Sequence, residues 1–124
     1  MKVPEIIHYC WFGPKSIPKT ELECIESWKI FFPDHKIMFW NEKTFDFSDN
    51  CFASEAYEKK QYAFVSDYVR TKVLFDYGGL YLDTDVEIIK SFNELIKTDL
   101  SFIGFETKRQ LGTAVMAFTK RHEL

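Results

Sequence analysis

Apolar positions fall into short runs whose period changes along the chain. Residues 5–11, EIIHYCW, are apolar on neighbouring and alternate positions alike, which predicts a strand buried on both faces. Phe12 to Pro18 carries the breakers Gly13-Pro14 and Pro18 and reads as a loop. Leu22, Ile25, Trp28 and Phe32 then recur at helical spacing. This predicts a helix over 21–31, capped by Thr20 and stopped at Pro33-Asp34. Residues 36–40, KIMFW, predict a second strand. A strand, helix, strand opening is expected to be a parallel pair with a right-handed crossover. Asn41 to Asn50 is a polar loop.

Residues 53–60 read as helical, and 62–77, YAFVSDYVRTKVLFDY, as a longer helix ended by Gly78-Gly79, with Gly78 as a left-handed cap. Leu80-Tyr81-Leu82 forms the next strand, and 86–89 is expected to continue it. Ser91 caps a short helix at 92–97, 101–105 is a further strand, and 113–120, TAVMAFTK, is a strand or the start of a helix. Strands alternate with helices, so the fold class is α/β with a mostly parallel sheet. The 124 residues suffice for a single domain, 1–124. No final element closes after Arg121-His122, so a C-terminal truncation is expected.

Asp83 and Asp85 follow the Leu80-Tyr81-Leu82 run at alternate positions. In an extended chain alternate side chains share a face, so the two acids are expected to stand together at a strand end. Two adjacent negative charges raise each other's pKa unless a cation lies between them. Oxygen ligands suit Mg²⁺ or Mn²⁺, and such an ion suits a phosphate-bearing substrate. An EF-hand loop starting at Asp83 fails at its sixth position, where Ile88 stands in place of glycine. A phosphatase of the haloacid-dehalogenase type, with Asp83 as nucleophile, is the alternative phosphoryl-transfer reading. That family's Thr or Val four residues on is here Glu87.

Ser66, Asp67 and Arg70 sit on the apolar helix 62–77, with Asp67 and Arg70 on one face. A charged pair in a largely buried helix needs polar partners. Arg can clasp phosphate or sugar oxygens, and Asp can accept from sugar hydroxyls. Trp11 closes the first strand at the carboxyl edge, where open α/β sheets bind ligands, and Trp40-Asn41-Glu42 points to the same edge. His8 is expected to be a hydrogen-bonded core residue, and Trp28 a core residue of its helix. Cys10, Cys24 and Cys51 lack metal-ligand spacing and read as reduced, mostly buried thiols.

Hydrophobic residues make up 46% of the chain, so a core can form, and aromatics 18%, with 13 Phe, part of which can serve as stacking surface. Net charge is −3 with no basic stripe, which argues against nucleic acid as a partner. No apolar run approaches the roughly 20 residues of a membrane span, and the N-terminus lacks a signal-peptide pattern. A cytoplasmic location is expected, with peripheral contact at the inner face of the membrane compatible with it.

The segments PEIIHYCWFG (4–13), WNE (40–42), AFVSDYVRTKVLFDYGGLYLDTDVE (63–87) and FIGFE (102–106) resemble the glycosyltransferases with a sugar-binding region containing the Asp-any-Asp (DXD) motif. These include capsular polysaccharide transferases, the initiating mannosyltransferase type and, more distantly, clostridial glucosylating toxins. The resemblance implies a GT-A fold, Mn²⁺ or Mg²⁺ dependence, and transfer with retention from a nucleotide sugar. The expected donor is a UDP-hexose and the acceptor a saccharide or glycolipid. By the same resemblance Trp11 stacks on the base, Asn41 and Tyr81 lie near the nucleoside, and Asp67, Arg70 and Ser66 hold the donor sugar. Asp83 touches ribose and reaches the metal through water, and Asp85 is the direct metal ligand. The family extends beyond residue 124 into a region that supplies the acceptor site. A nucleotide-binding fragment without turnover is therefore the third reading.

Overall fold

The computed structural model describes residues 4–47, 51–88, 102–105 and 111–118. In chain order the elements are β1 (Ile6–Cys10), α1 (Lys19–Phe31), β2 (Lys36–Trp40), α2 (Cys51–Glu58), α3 (Tyr62–Tyr77), β3 (Gly79–Leu82), β4 (Phe102–Phe105) and β5 (Leu111–Phe118). They build a five-stranded sheet in the order β2-β1-β3-β5-β4. β1 lies parallel to both β2 and β3, while β5 runs antiparallel to β3 and to β4. Only β5 therefore opposes the common strand direction, and the α/β, mostly parallel expectation holds. The described part of the 113–120 segment, to Phe118, is strand and belongs to β5.

The two-residue period of each strand sorts its side chains between two helix layers. Ile7, Leu80 and Leu82 face α1, where they pack with Ile25, Trp28 and Phe32. Cys10, Trp40 and Tyr81 face the other way, onto Val65, Val69, Val73 and Leu74 of α3 and Ala56 of α2. The sheet is thus the middle layer of an αβα sandwich. β3 is buried along its whole length, because helices cover both faces and β1 and β5 flank both edges.

Several local expectations are corrected. The first helix begins at Lys19, not after Thr20, and Thr20 does not cap it. Pro18 occupies the cap with φ −60° and ψ 153°, and its carbonyl accepts from Glu21 and Leu22 N–H. Proline's fixed φ suits that post without a side-chain cap. Leu22, placed on the apolar stripe, is 48% exposed. α3 buries Val65, Val69, Arg70, Val73 and Leu74, but Phe64 and Phe75 are exposed, so it is apolar beyond the face it packs. Of the cysteines only Cys10 is buried, and Cys51 is exposed; all three are free thiols. β3 ends at Leu82, and 86–88 do not continue it. Ser91 and the helix expected at 92–97 lie outside the described residues.

Two glycines join α3 to β3. Gly78 ends the helix at φ 71° and ψ −174°, a region essentially reserved for glycine, rather than in the left-handed helical cap expected. The extended ψ sends the chain straight into the sheet. Gly79 has φ 109°, and a Cβ there would lie 2.6 Å from the Ile6 carbonyl oxygen. The close approach of β1 and β3 therefore requires glycine.

His8 is fully buried in β1 and ties three segments together. Its Nε2 lies 2.9 Å from the Gly78 carbonyl oxygen, and its Nδ1 lies 3.0 Å from Trp40 Nε1. A carbonyl only accepts and an indole N–H only donates. The ring is therefore the neutral tautomer with its proton on Nε2. Burial lowers its pKa below the ordinary 6.5. The unfolded chain then takes up a proton that the native ring refuses, so His8 makes stability fall as pH drops below about 6.5, until the lowered native pKa is passed. We expect His8→Phe to lose about 1–3 kcal/mol for each of the two orphaned partners, measured by urea denaturation. The variant should also show a shallower fall in stability between pH 6.5 and 5 than the parent.

Candidate functional site

The strand register brings the chemistry to one edge of the sheet. Cys10 pairs with Trp40 and His8 with Tyr81, so β1, β2 and β3 all end at the same edge, followed by Trp11, Asn41 and Asp83. The Trp11 amide continues the ladder to the Trp40 carbonyl at 3.0 Å. Where parallel strands end together, the loops that follow leave a crevice.

A cavity of about 510 Å³ opens there, lined by residues including Trp11, Lys15, Lys60, Tyr62 and Ser66. A second, of about 360 Å³, shares Trp11 and Lys15 and reaches Asn41 and Glu42. Trp11 stands between the two. Its Nε1 donates to the Lys15 carbonyl at 2.7 Å, which fixes the ring edge. Asn41 uses its Oδ1 to accept from the amides of Lys43 and Thr44, at 2.9 and 3.1 Å, so its side-chain oxygen builds the loop that lines the second cavity. Glu42 lines the same cavity, with its Oε1 accepting from the Gly13 amide and the Tyr57 hydroxyl, both at 3.2 Å.

Arg70 gathers the remaining predicted residues. Although only 7% exposed, it lies 3.3 Å from Asp67 Oδ1 and 3.1 Å from Asp83 Oδ1. Its guanidinium carbon sits 4.8 Å from the Tyr81 ring centre, a cation–π contact that replaces part of the lost hydration. Nε approaches the Ser66 carbonyl at 3.5 Å. The i,i+3 partner Asp67 is exposed, whereas Asp83 is half-buried, so the structurally constrained partner is the one on the far element. The buried Tyr81 hydroxyl hydrogen-bonds with Asp83 and with the Cys10 thiol. Burial raises the Tyr81 hydroxyl well above its ordinary pKa and pushes the Cys10 thiol up to about 12. Burial likewise raises the Asp83 carboxyl; Arg70 and the Tyr81 hydroxyl oppose that rise, and Asp85 and Asp67 add to it.

The two acids do not share a strand face. Beyond Leu82 the Val86 amide bonds the Asp83 carbonyl at 3.0 Å, so 83–86 is a turn, and Asp85 is exposed on it. Asp85 is nonetheless near enough to raise the Asp83 pKa. Among the described residues no group of three His, Cys, Asp or Glu side chains could hold a metal. The spacing argument missed Thr84, which is buried between the acids and donates to Glu21 Oε2 of α1 at 2.9 Å. A hydroxyl placed between two acids is the only sequence signal of that contact, and it names no partner.

The structure of PaToxG glycosyltransferase superposes on 97% of this chain and 55% of its own with a TM-score of 0.74 at 16% identity. The fold is therefore that of a GT-A glycosyltransferase. The family model of the glycosyltransferase sugar-binding region containing the DXD motif matches residues 18–102, and the chain belongs to that family. An uncharacterized glycosyltransferase of Acanthamoeba polyphaga mimivirus is 31% identical over 86% of this chain and 45% of its own. Inositol phosphoceramide mannosyltransferase 3 of Schizosaccharomyces pombe is 27% identical over 97% of this chain and 34% of its own. Lactosylceramide 4-alpha-galactosyltransferase of Mus musculus is 34% identical over 57% and 19%. The chain thus spans less than half the length of each of these curated relatives.

Three outcomes test this geometry. In a double-mutant cycle of Arg70→Leu and Asp83→Asn, the pair should couple by about 1 kcal/mol, given the half exposure of Asp83. The single Arg70→Leu variant should lose stability as pH rises through the further-raised Asp83 pKa. A thiol reagent at pH 8 should modify Cys51 in the folded chain and Cys10 only after unfolding, read by mass spectrometry.

Proposed function

We propose that the chain is the donor-binding part of a retaining hexosyltransferase. Its donor is a nucleotide-diphosphate sugar, a UDP-hexose, and its acceptor a saccharide or glycolipid of cell-surface or capsular polysaccharide synthesis. The observation that carries this reading is the carboxyl-edge cavity lined by Trp11, Lys15 and Ser66, where the Ser66 carbonyl also meets Arg70 of the Arg70–Asp83 pair. Family membership supports sugar transfer and sets aside the phosphatase reading with Asp83 as nucleophile. The names of the relatives, a mannosyl- and a galactosyltransferase with lipid-linked acceptors, support a hexose donor and a glycolipid acceptor.

Trp11 offers a ring of fixed edge on which a base can stack. Lys15 and Lys60 line the cavity with positive charge suited to a nucleotide. Arg70 presents a guanidinium held by Asp83 and Asp67, while exposed Asp67 can accept from sugar hydroxyls. Asp83 and Asp85, near enough for Asp85 to raise the Asp83 pKa, would hold a divalent cation of the Mn²⁺ or Mg²⁺ type through oxygen donors. When bound, that ion neutralises the diphosphate as charge builds on the leaving oxygen. No side chain of the cluster is needed as a covalent nucleophile, since front-side attack within an ion pair requires none.

Calorimetry with UDP, with and without Mn²⁺, tests the reading on the 124-residue chain. UDP should bind more tightly with Mn²⁺, and Asp85→Ala should abolish the metal's effect without altering the melting temperature, because Asp85 is exposed. Trp11→Ala should cost about 1–3 kcal/mol of binding with or without metal, by loss of stacking. Absence of UDP binding by the parent chain would overturn the proposal. Binding without turnover in a donor-hydrolysis assay would leave the nucleotide-binding fragment.

A further inference from the structure

Among the described residues, none of helix α1 lines the two cavities beside Trp11, yet the helix grips the acidic turn at three points. Glu21 Oε2 accepts from the Thr84 hydroxyl at 2.9 Å. Trp28 Nε1 donates to the Val86 carbonyl at 2.7 Å. Ser27 Oγ accepts from the Ile88 amide at 2.9 Å. These bonds run from the first turn of α1 and from the adjacent Ser27 and Trp28 to residues 84–88, the segment that follows β3 and has left the sheet ladder. They add to the Asp83–Val86 turn bond and to the packing of Val86 and Ile88 on the α1 core.

We propose that Glu21 is a positioning residue for the acid pair, acting through Thr84. Thr84, the middle residue of the Asp-any-Asp triplet, is 8% exposed, while Asp85 beside it is exposed. Anchoring the middle side chain on α1 holds the turn on which Asp83 and Asp85 stand. Glu21 serves here as an acceptor for the Thr84 hydroxyl, a role that a glutamine oxygen can also fill. Partners that orient metal-binding carboxylates from behind matter almost as much as the ligands themselves. Trp28 and Ser27 extend the grip, but Trp28 also fills the core and so cannot be probed cleanly.

This inference rests on metal-dependent nucleotide binding by Asp83 and Asp85, and the experiment separates the two. Mn²⁺-dependent UDP affinity is measured by calorimetry for the parent, Thr84→Val, Thr84→Ser, Glu21→Gln and Glu21→Ala. Thr84→Val and Glu21→Ala should each weaken it about tenfold. The double variant Thr84→Val/Glu21→Ala should be no worse than either single one. Thr84→Ser and Glu21→Gln, which keep a donor and an acceptor, should restore most of the affinity. Metal-independent UDP binding should be unchanged in all five. Equal affinity in parent and Thr84→Val overturns the positioning role alone. Loss in Glu21→Gln equal to that in Glu21→Ala overturns it as well, since Glu21 would then act by its charge. A parent chain that binds no UDP overturns the donor-binding function and this inference together. Hydrogen exchange at the Val86 amide gives a second readout: faster in Thr84→Val and unchanged in Thr84→Ser if the grip is real, unchanged in both if it is not.

Discussion

A buried guanidinium sets the terms for the rest of the site. Arg70 is nearly as inaccessible as the valines beside it on α3, and an isolated charge cannot stay there. Its partners come from different elements: Asp67 from its own helix, Asp83 from the turn after β3, and the Tyr81 ring from β3 itself. Satisfying Arg70 therefore forces α3 and the end of β3 into one relative position. The same contacts fix where the Asp83 carboxylate lies. A buried ion pair is weak evidence for stability as such. Here it serves registry, since one charge binds two elements that converge on the crevice.

β3 makes this possible by carrying different chemistry on its two faces. Leu80 and Leu82 go to the α1 core, while Tyr81 goes to the α3 core and puts its hydroxyl against Asp83 and Cys10. The two glycines ahead of it let a helix end and a central strand begin with no intervening loop. His8 then pins that junction, joining Gly78 at the start of β3 to Trp40 at the end of β2. Constraint on the acidic turn thus arrives from both layers, through Arg70 on one side and the first helix on the other.

Much of this is legible in the sequence, and the rest is hidden for physical reasons. The alternation of apolar strands with helices, the buried His8 and Trp28, and the Asp67–Arg70 pair all follow from period and spacing. What spacing cannot supply is the point where a strand stops. Leu80 to Asp85 alternates as a longer strand would, yet the Val86 amide turns the chain at Asp83, so an expected shared face becomes a turn. Phe64 and Phe75 mislead in the opposite sense, because hydrophobicity in α3 exceeds the surface that the sheet can cover. The Glu21–Thr84 bond spans 63 positions and joins two residue types common on any surface, so no local pattern announces it.

The electrostatics of Asp83 show which way the fold has been biased. Its pKa is raised although an arginine and a tyrosine hydroxyl favour its charged form, so burial and the neighbouring acids outweigh them. A raised native pKa means that the folded state binds a proton more readily than the unfolded chain. The ionised carboxylate therefore costs stability at neutral pH, and that cost fades as pH falls through the raised pKa. The fold keeps that charge because the buried Arg70 needs it as a partner. Neutralisation of Asp85 and Asp83 by a cation would relieve the same repulsion that protonation relieves. Under the proposed function, proton and cation would therefore compete for the Asp83 carboxylate.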